Sequence, residues 1–121
     1  MADHLFGAFR LNAEKILWCG DTLVPLSPMQ RRLLGCFCAQ PQQVLSKASL
    51  MLEVWGHLEV SEVSLARTVH GLRRRLADAG AKGVLIRNVY GEGYIFTADV
   101  VEIEATAAIP LGLPRTQAIA V

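Results

Sequence analysis

Ser61-Glu62-Val63-Ser64-Leu65-Ala66-Arg67-Thr68-Val69-His70-Gly71-Leu72-Arg73-Arg74-Arg75-Leu76 decides how this chain folds and what its surface offers. At about 100° per residue, Leu65, Val69, Leu72 and Leu76 fall within about 60° of one another and form one apolar stripe. Arg67 and Arg74 point almost directly away from that stripe. Val63, His70 and Gly71 flank them, and Arg73 and Arg75 sit on its shoulders. Ser61 is an N-cap candidate, and Gly80 stops the helix after residue 79. A helix buried on one side and basic on the other fits the major groove of DNA, where arginine donates two hydrogen bonds to guanine or pairs with phosphate. Arginine on a surface helix is usually just solvated charge, so the neighbouring elements must decide.

Working upstream, Ser46 caps a second helix over 47–55, with Leu50, Met51, Val54 and Trp55 on its apolar side and Gly56 as its stop. Before it lies a short extended link at 43–45. Ser27-Pro28 opens a first helix that runs to Ala39, with Leu33, Leu34 and Phe37 on one face and Gln40-Pro41 ending it. Residues 5–26 read as short strands: 5–11 with a glycine break, 15–19, and 22–26. The Asn12-Ala13-Glu14 turn has Asn12 to take an unusual dihedral, and Gly20-Asp21 makes a tight turn. Strands this closely spaced imply an antiparallel meander. Downstream, 84–89 and 94–98 read as two strands joined by the hairpin Tyr90-Gly91-Glu92-Gly93. The order helix, link, helix, loop, basic helix, glycine hairpin is that of a helix-turn-helix with a wing. The expected class is α+β: an N-terminal antiparallel sheet, three helices and a C-terminal β-hairpin wing over residues 1–98. Residues 99–121 lack clear periodicity and read as a tail or linker.

The 121 residues suit one domain with one core, and 52% hydrophobic with 19% charged residues is a globular composition. Net charge is only +1, but it is unevenly placed. Residues 1–60 balance five bases against five acids. Residues 61–98 carry six bases (Arg67, Arg73, Arg74, Arg75, Lys82, Arg87) against three acids, and 99–121 carry three acids against Arg115. No apolar run reaches the ~18 residues that cross a bilayer. No basic region followed by an apolar stretch marks a signal peptide at the start, so the expected compartment is the cytoplasm. Cys19, Cys36 and Cys38 are odd in number and lack a second ligand pair, which argues against a disulfide framework or zinc site. They read as reduced, mostly buried residues. No phosphate-binding glycine loop, nucleophile–base arrangement or paired carboxylates appear, so neither an enzyme nor a cofactor is expected.

Several stretches together resemble the winged-helix effector domain of the OmpR/PhoB response regulators, also found in ToxR- and CadC-like regulators. They are Leu26-Ser27-Pro28 with Leu33-Leu34; Val44-Leu45-Ser46-Lys47 with Leu50 and Val54-Trp55-Gly56; Ser64-Leu65; Leu72-Arg73-Arg74-Arg75-Leu76; and Ile86-Arg87-Asn88-Val89-Tyr90-Gly91-Glu92-Gly93-Tyr94. The resemblance covers roughly residues 5–98. It implies that the third helix enters the major groove while the wing reaches the neighbouring minor groove. It places base or phosphate contacts on Arg67, Thr68, His70, Arg73 and Arg74. Phosphate contacts also fall on Ser46 and Lys47, where a helix N-terminus favours anions, and on Asn88 and Tyr90 in the wing. The chain departs from the family at Gly71, where a larger polar or basic residue is common, at Glu92 on the wing tip, and at Ile95, where arginine is common. A receiver domain and a ToxR-type membrane helix are not expected in this stretch.

The resulting expectation is a sequence-specific, double-stranded-DNA-binding transcription regulator. With so little net charge, affinity would come from two copies on repeated half-sites, as a homodimer on DNA, or from a partner regulator. RNA polymerase would meet the loop at 56–60. The alternative is a winged-helix protein-interaction module, an adaptor or anti-regulator with little DNA binding, motivated by the acidic wing tip, Gly71 and the modest charge.

Overall fold

The computed structural model describes residues 2–57 and 59–104. Four short strands open the chain: β1 (Ala2–Phe6), β2 (Phe9–Leu11), β3 (Leu17–Cys19) and β4 (Thr22–Val24). The helices follow as α1 (Pro28–Ala39), then β5 (Val44–Ser46), α2 (Lys47–Trp55) and α3 (Glu62–Asp78). Three strands close the order: β6 (Ile86–Val89), β7 (Gly93–Phe96) and β8 (Val101–Glu104). The expected α+β winged helix-turn-helix is present, with two sheets. One runs β4-β3-β2-β1-β8 and the other β5-β7-β6.

Two segments do more than their composition suggested. The boundary expected at residue 98 is corrected, because Val101–Glu104 pairs antiparallel with β1, from Ala2 opposite Glu104 to Leu5 opposite Val101. A four-residue strand on a sheet edge is too short to show periodicity, so it read as tail. Residues 105–121, the rest of that expected tail, lie outside the described residues. The link at 43–45 is likewise a strand, pairing Val44 with Ile95, Leu45 with Tyr94 and Ser46 with Gly93. The wing is therefore a three-stranded sheet whose third strand leads straight into α2.

Each helix is fixed at its ends by the chemistry of single residues. Ser27 caps α1 in a full capping box: its hydroxyl accepts the Gln30 N–H, and the Gln30 side chain accepts the Ser27 N–H. Ser46 accepts from the Ser49 N–H, and Gly56 ends α2 in the left-handed conformation. Ser61 accepts from the Ser64 N–H to open α3. At the 12–16 turn the expectation needs correction. Lys15, not Asn12, holds positive φ (64°), while the Asn12 carboxamide oxygen accepts the N–H groups of both Glu14 and Ile16. An Asx-type bond shapes the loop and shifts the strained dihedral to its far end.

The core joins the two sheets through the helices. Phe6 stacks on Phe9 at 5.2 Å, Phe6 meets Phe96 edge-on at 5.2 Å, and Phe37 stacks on Phe96 at 5.8 Å. One wing residue, Phe96, thereby ties the N-terminal sheet to α1. Leu33, Leu34, Leu50, Val54, Leu65, Val69, Leu72 and Leu76 fill the space between the three helices. Burying each such aliphatic side chain is worth about 1.5–3 kcal/mol.

Candidate nucleic-acid interface

The apolar stripe read on α3 is the buried one: Leu65, Val69, Leu72 and Leu76 are each at most 2% exposed. The opposite side is open. Val63, Arg67, His70 and Arg74, at i, i+4, i+7 and i+11, form an exposed row along the outside of the helix. Among the described residues, neither Arg67 nor Arg74 has a side-chain hydrogen bond or ion pair. Both guanidinium groups keep their full set of donors for an outside partner. Thr68 is half-buried, and its hydroxyl donates to the Ser64 carbonyl at 2.9 Å, which leaves only its oxygen lone pairs for a further contact.

Arg73 differs from the expectation. It is half-buried and turns toward the wing, where its Nε donates to the Ile86 carbonyl at 2.8 Å and a terminal nitrogen donates to the Asn88 carboxamide oxygen at 3.1 Å. Two residues expected to touch DNA are thus bonded to each other, and the pair clamps α3 to β6. The helical wheel had put Arg73 on a shoulder of the apolar stripe, which is where a wing packed beside the helix would reach it. Lys47 is also engaged, forming a 2.9 Å ion pair with Glu62 across the α2–α3 junction. The carboxylate beside it raises the Lys47 pKa, by hydrogen bonding first and charge attraction second, so the ammonium stays charged. Ser46 remains exposed but uses its hydroxyl as the α2 cap.

Gly71 sits on the α1 side of α3 rather than on the outward row. A Cβ there would come within 2.6 Å of the Gln30 side-chain nitrogen. Its smallness leaves room for the Gln30 carboxamide, whose oxygen closes the α1 capping box. In the wing, Tyr90 is fully exposed at the tip, and Glu92 is exposed beside it. Ile95 occupies the central strand, half-buried, opposite Arg87 and Val44. Arg87, counted from sequence among the bases of 61–98 but not among the expected DNA contacts, is exposed on β6 next to Asn88. The alternation of Ile86 (buried) and Arg87 (exposed) was the available signal.

The thiols offer no site. Burial pushes the Cys38 thiol up to about 12, and burial with the nearby Glu53 carboxylate raises that of Cys36, so both stay protonated at neutral pH. No group of side chains among the described residues has the makings of a metal site. None of the described helices is long and apolar enough to cross a membrane.

This geometry is matched by known proteins. The transcriptional regulator HilA of Salmonella typhimurium is 32% identical over 106 residues, which are 88% of this chain and 19% of HilA. The chain therefore spans about a fifth of that relative's length. The DNA-binding domain of Escherichia coli CadC superposes with a TM-score of 0.74 at 22% identity, covering 84% of this chain and 96% of that domain. The RstA DNA-binding domain of Klebsiella pneumoniae, solved in complex with the RstA box, superposes with a TM-score of 0.66 at 20% identity, covering 78% and 96%. Residues 20–96 match the family described as "Transcriptional regulatory protein, C terminal". That family is one of regulator domains rather than of enzymes. The match spans α1 through the wing in the order described, and the chain belongs to this OmpR/PhoB-type family of winged-helix DNA-binding domains.

Proposed function

We propose that this domain binds double-stranded DNA in a sequence-specific way as part of a transcription regulator working in the cytoplasm. α3 lies in the major groove and the wing lies along the neighbouring minor groove and backbone. The outward row on α3 carries the reading, with Arg67 and Arg74 free of partners among the described residues and held there by burial of the opposite stripe. Arg67, His70 and Arg74 meet bases or phosphates. Arg87 and Tyr90 follow the backbone from the wing, and the open N-terminus of α2 behind Ser46 faces a phosphate. Thr68 adds a contact through its hydroxyl oxygen only. Arg73 and Asn88 set the angle between helix and wing, and Lys47 braces α2 against α3 through Glu62. RstA, which shares the fold, is solved on its own DNA box, in keeping with this use of the surface.

Few free cations on one copy favour two copies on repeated half-sites, or one copy beside a partner regulator. The loop at 56–60, which contains Leu58 outside the described residues, is the segment offered to RNA polymerase. The test is a gel-shift series over salt with DNA selected from a random pool. Each phosphate neutralised contributes about −0.9 to the slope of log affinity against log salt. We expect a slope near −3 per copy, about −0.9 from each of Arg67, Arg74 and Arg87. A flat response would overturn the reading. The protein-interaction alternative rests on Glu92 at the wing tip and on Lys47 being held in an ion pair with Glu62. It requires no retention on heparin or random DNA at low salt, together with a protein that co-purifies.

A further inference from the structure

Val63 is the one aliphatic side chain on the outward row of α3, and 61% of it is exposed. An exposed valine is ordinary on a protein surface, but its place in this row is not. It stands in the first helical turn, two residues after the Ser61 cap, with Arg67 one turn further along. Recognition helices present their N-terminal residues to base edges. A β-branched residue is also a poor helix former compared with the charged residues that suit an exposed first turn. Most of its surface is open to solvent rather than packed against the described residues.

We propose that Val63 reads the C5-methyl group of a thymine in the major groove. The inference rests on the DNA-binding reading above and adds a named base to it. Thymine alone presents a methyl group in that groove, and the other bases present donors or acceptors there. The two methyl groups of valine carry neither donor nor acceptor. Against a cytosine amino group or a purine N7 they would leave a desolvated polar atom unpaired, whereas against a thymine methyl they bury apolar surface on both sides. Val63 and Arg74 are eleven residues apart, about 16 Å along the helix. The thymine therefore lies toward one end of the half-site, and the base or phosphate met by Arg74 lies toward the other.

The test uses the full chain and the DNA it selects from a random pool. Each thymine of the selected site is replaced in turn by deoxyuridine, which exchanges the methyl group for hydrogen and keeps the pairing. At one position, toward the Val63 end, affinity should fall about fourfold, the worth of one buried methyl-sized group. Val63→Ala should remove the sensitivity at that position alone, while Val63→Ile should retain it. Alanine raises helix propensity at an exposed site, so the variant folds. Insensitivity of the natural chain to every replacement would overturn the proposal, as would an undiminished fourfold loss in Val63→Ala. Failure to enrich any DNA in the selection step would instead overturn the DNA-binding reading itself, before any variant is made.

Discussion

Helix α3 and the wing are the two segments that the resemblance brings to DNA, but α3 carries four arginines while the wing balances Arg87 against Glu92, and the fold treats them differently. On α3 the buried stripe turns Arg67, His70 and Arg74 outward and leaves both arginines without a partner among the described residues. In the wing, Asn88 is bonded to Arg73, Ile95 is half-buried in the central strand, and the tip pairs a bare Tyr90 with Glu92. The cationic side chain nearest the junction, Arg73, serves the wing's position. Available charge is therefore smaller than counted charge, and the difference falls on the wing side. On the proposed function, α3 does the reading and the wing braces it.

The sharpest way to break that division is at Gly93. A Cβ there would collide with the carbonyl of Leu45 in the neighbouring strand. Gly93→Ala should force β7 away from β5, which feeds directly into the Ser46 cap of α2. We expect a loss of at least about 3 kcal/mol in denaturant unfolding, the size associated with backbone clashes and core disruption. A loss under 1 kcal/mol would mean the wing is not rigidly tied to the helices and cannot brace anything.

Next come the two arginines that sit one residue apart. Arg74→Ala should weaken DNA binding by about 1–3 kcal/mol, if its guanidinium meets a base, and leave the unfolding midpoint unchanged. Arg73→Ala should lower stability by about 1–2 kcal/mol through two lost hydrogen bonds. Arg73→Lys should not restore it, because an ammonium cannot span the Ile86 carbonyl and the Asn88 carboxamide in the same fork. If Arg73→Ala costs affinity and no stability, the two arginines share one role and the comparison between helix and wing collapses.

How much of this was legible depended on the range of the interaction. Helix boundaries were readable because caps are local: Ser27-Pro28, Ser46, Ser61 and Gly56 each act on residues within four positions. The α3 stripe was readable because helical periodicity is local too. What escaped was set by partners far along the chain. Nothing near 101–104 signals that β1 is waiting for it, nor does the link at 43–45 announce Ile95 and Tyr94. Lys47 and Glu62 are fifteen residues apart, as are Arg73 and Asn88, so both pairs were invisible to periodicity. Gly71 misled for the same reason. Its neighbour is the Gln30 carboxamide, forty-one residues earlier.

The smallest effect bears on whether the wing touches the DNA backbone at all. Glu92 is exposed next to Tyr90 on the tip, where a carboxylate would repel the phosphates the wing is meant to follow. Glu92→Gln keeps the shape and removes the charge. If the tip lies against the backbone, affinity should rise about two- to threefold at low salt, the worth of a single exposed charge interaction. The gain should fade as salt rises, because the screening length shrinks from about 10 Å at 0.1 M to about 3 Å at 1 M. A gain that persists at high salt would point to a changed loop shape instead of relieved repulsion. No gain at any salt would place the tip more than a screening length from the phosphates. The wing would then act only as the brace that Arg73 and Asn88 make it, with recognition left wholly to the outward row of α3.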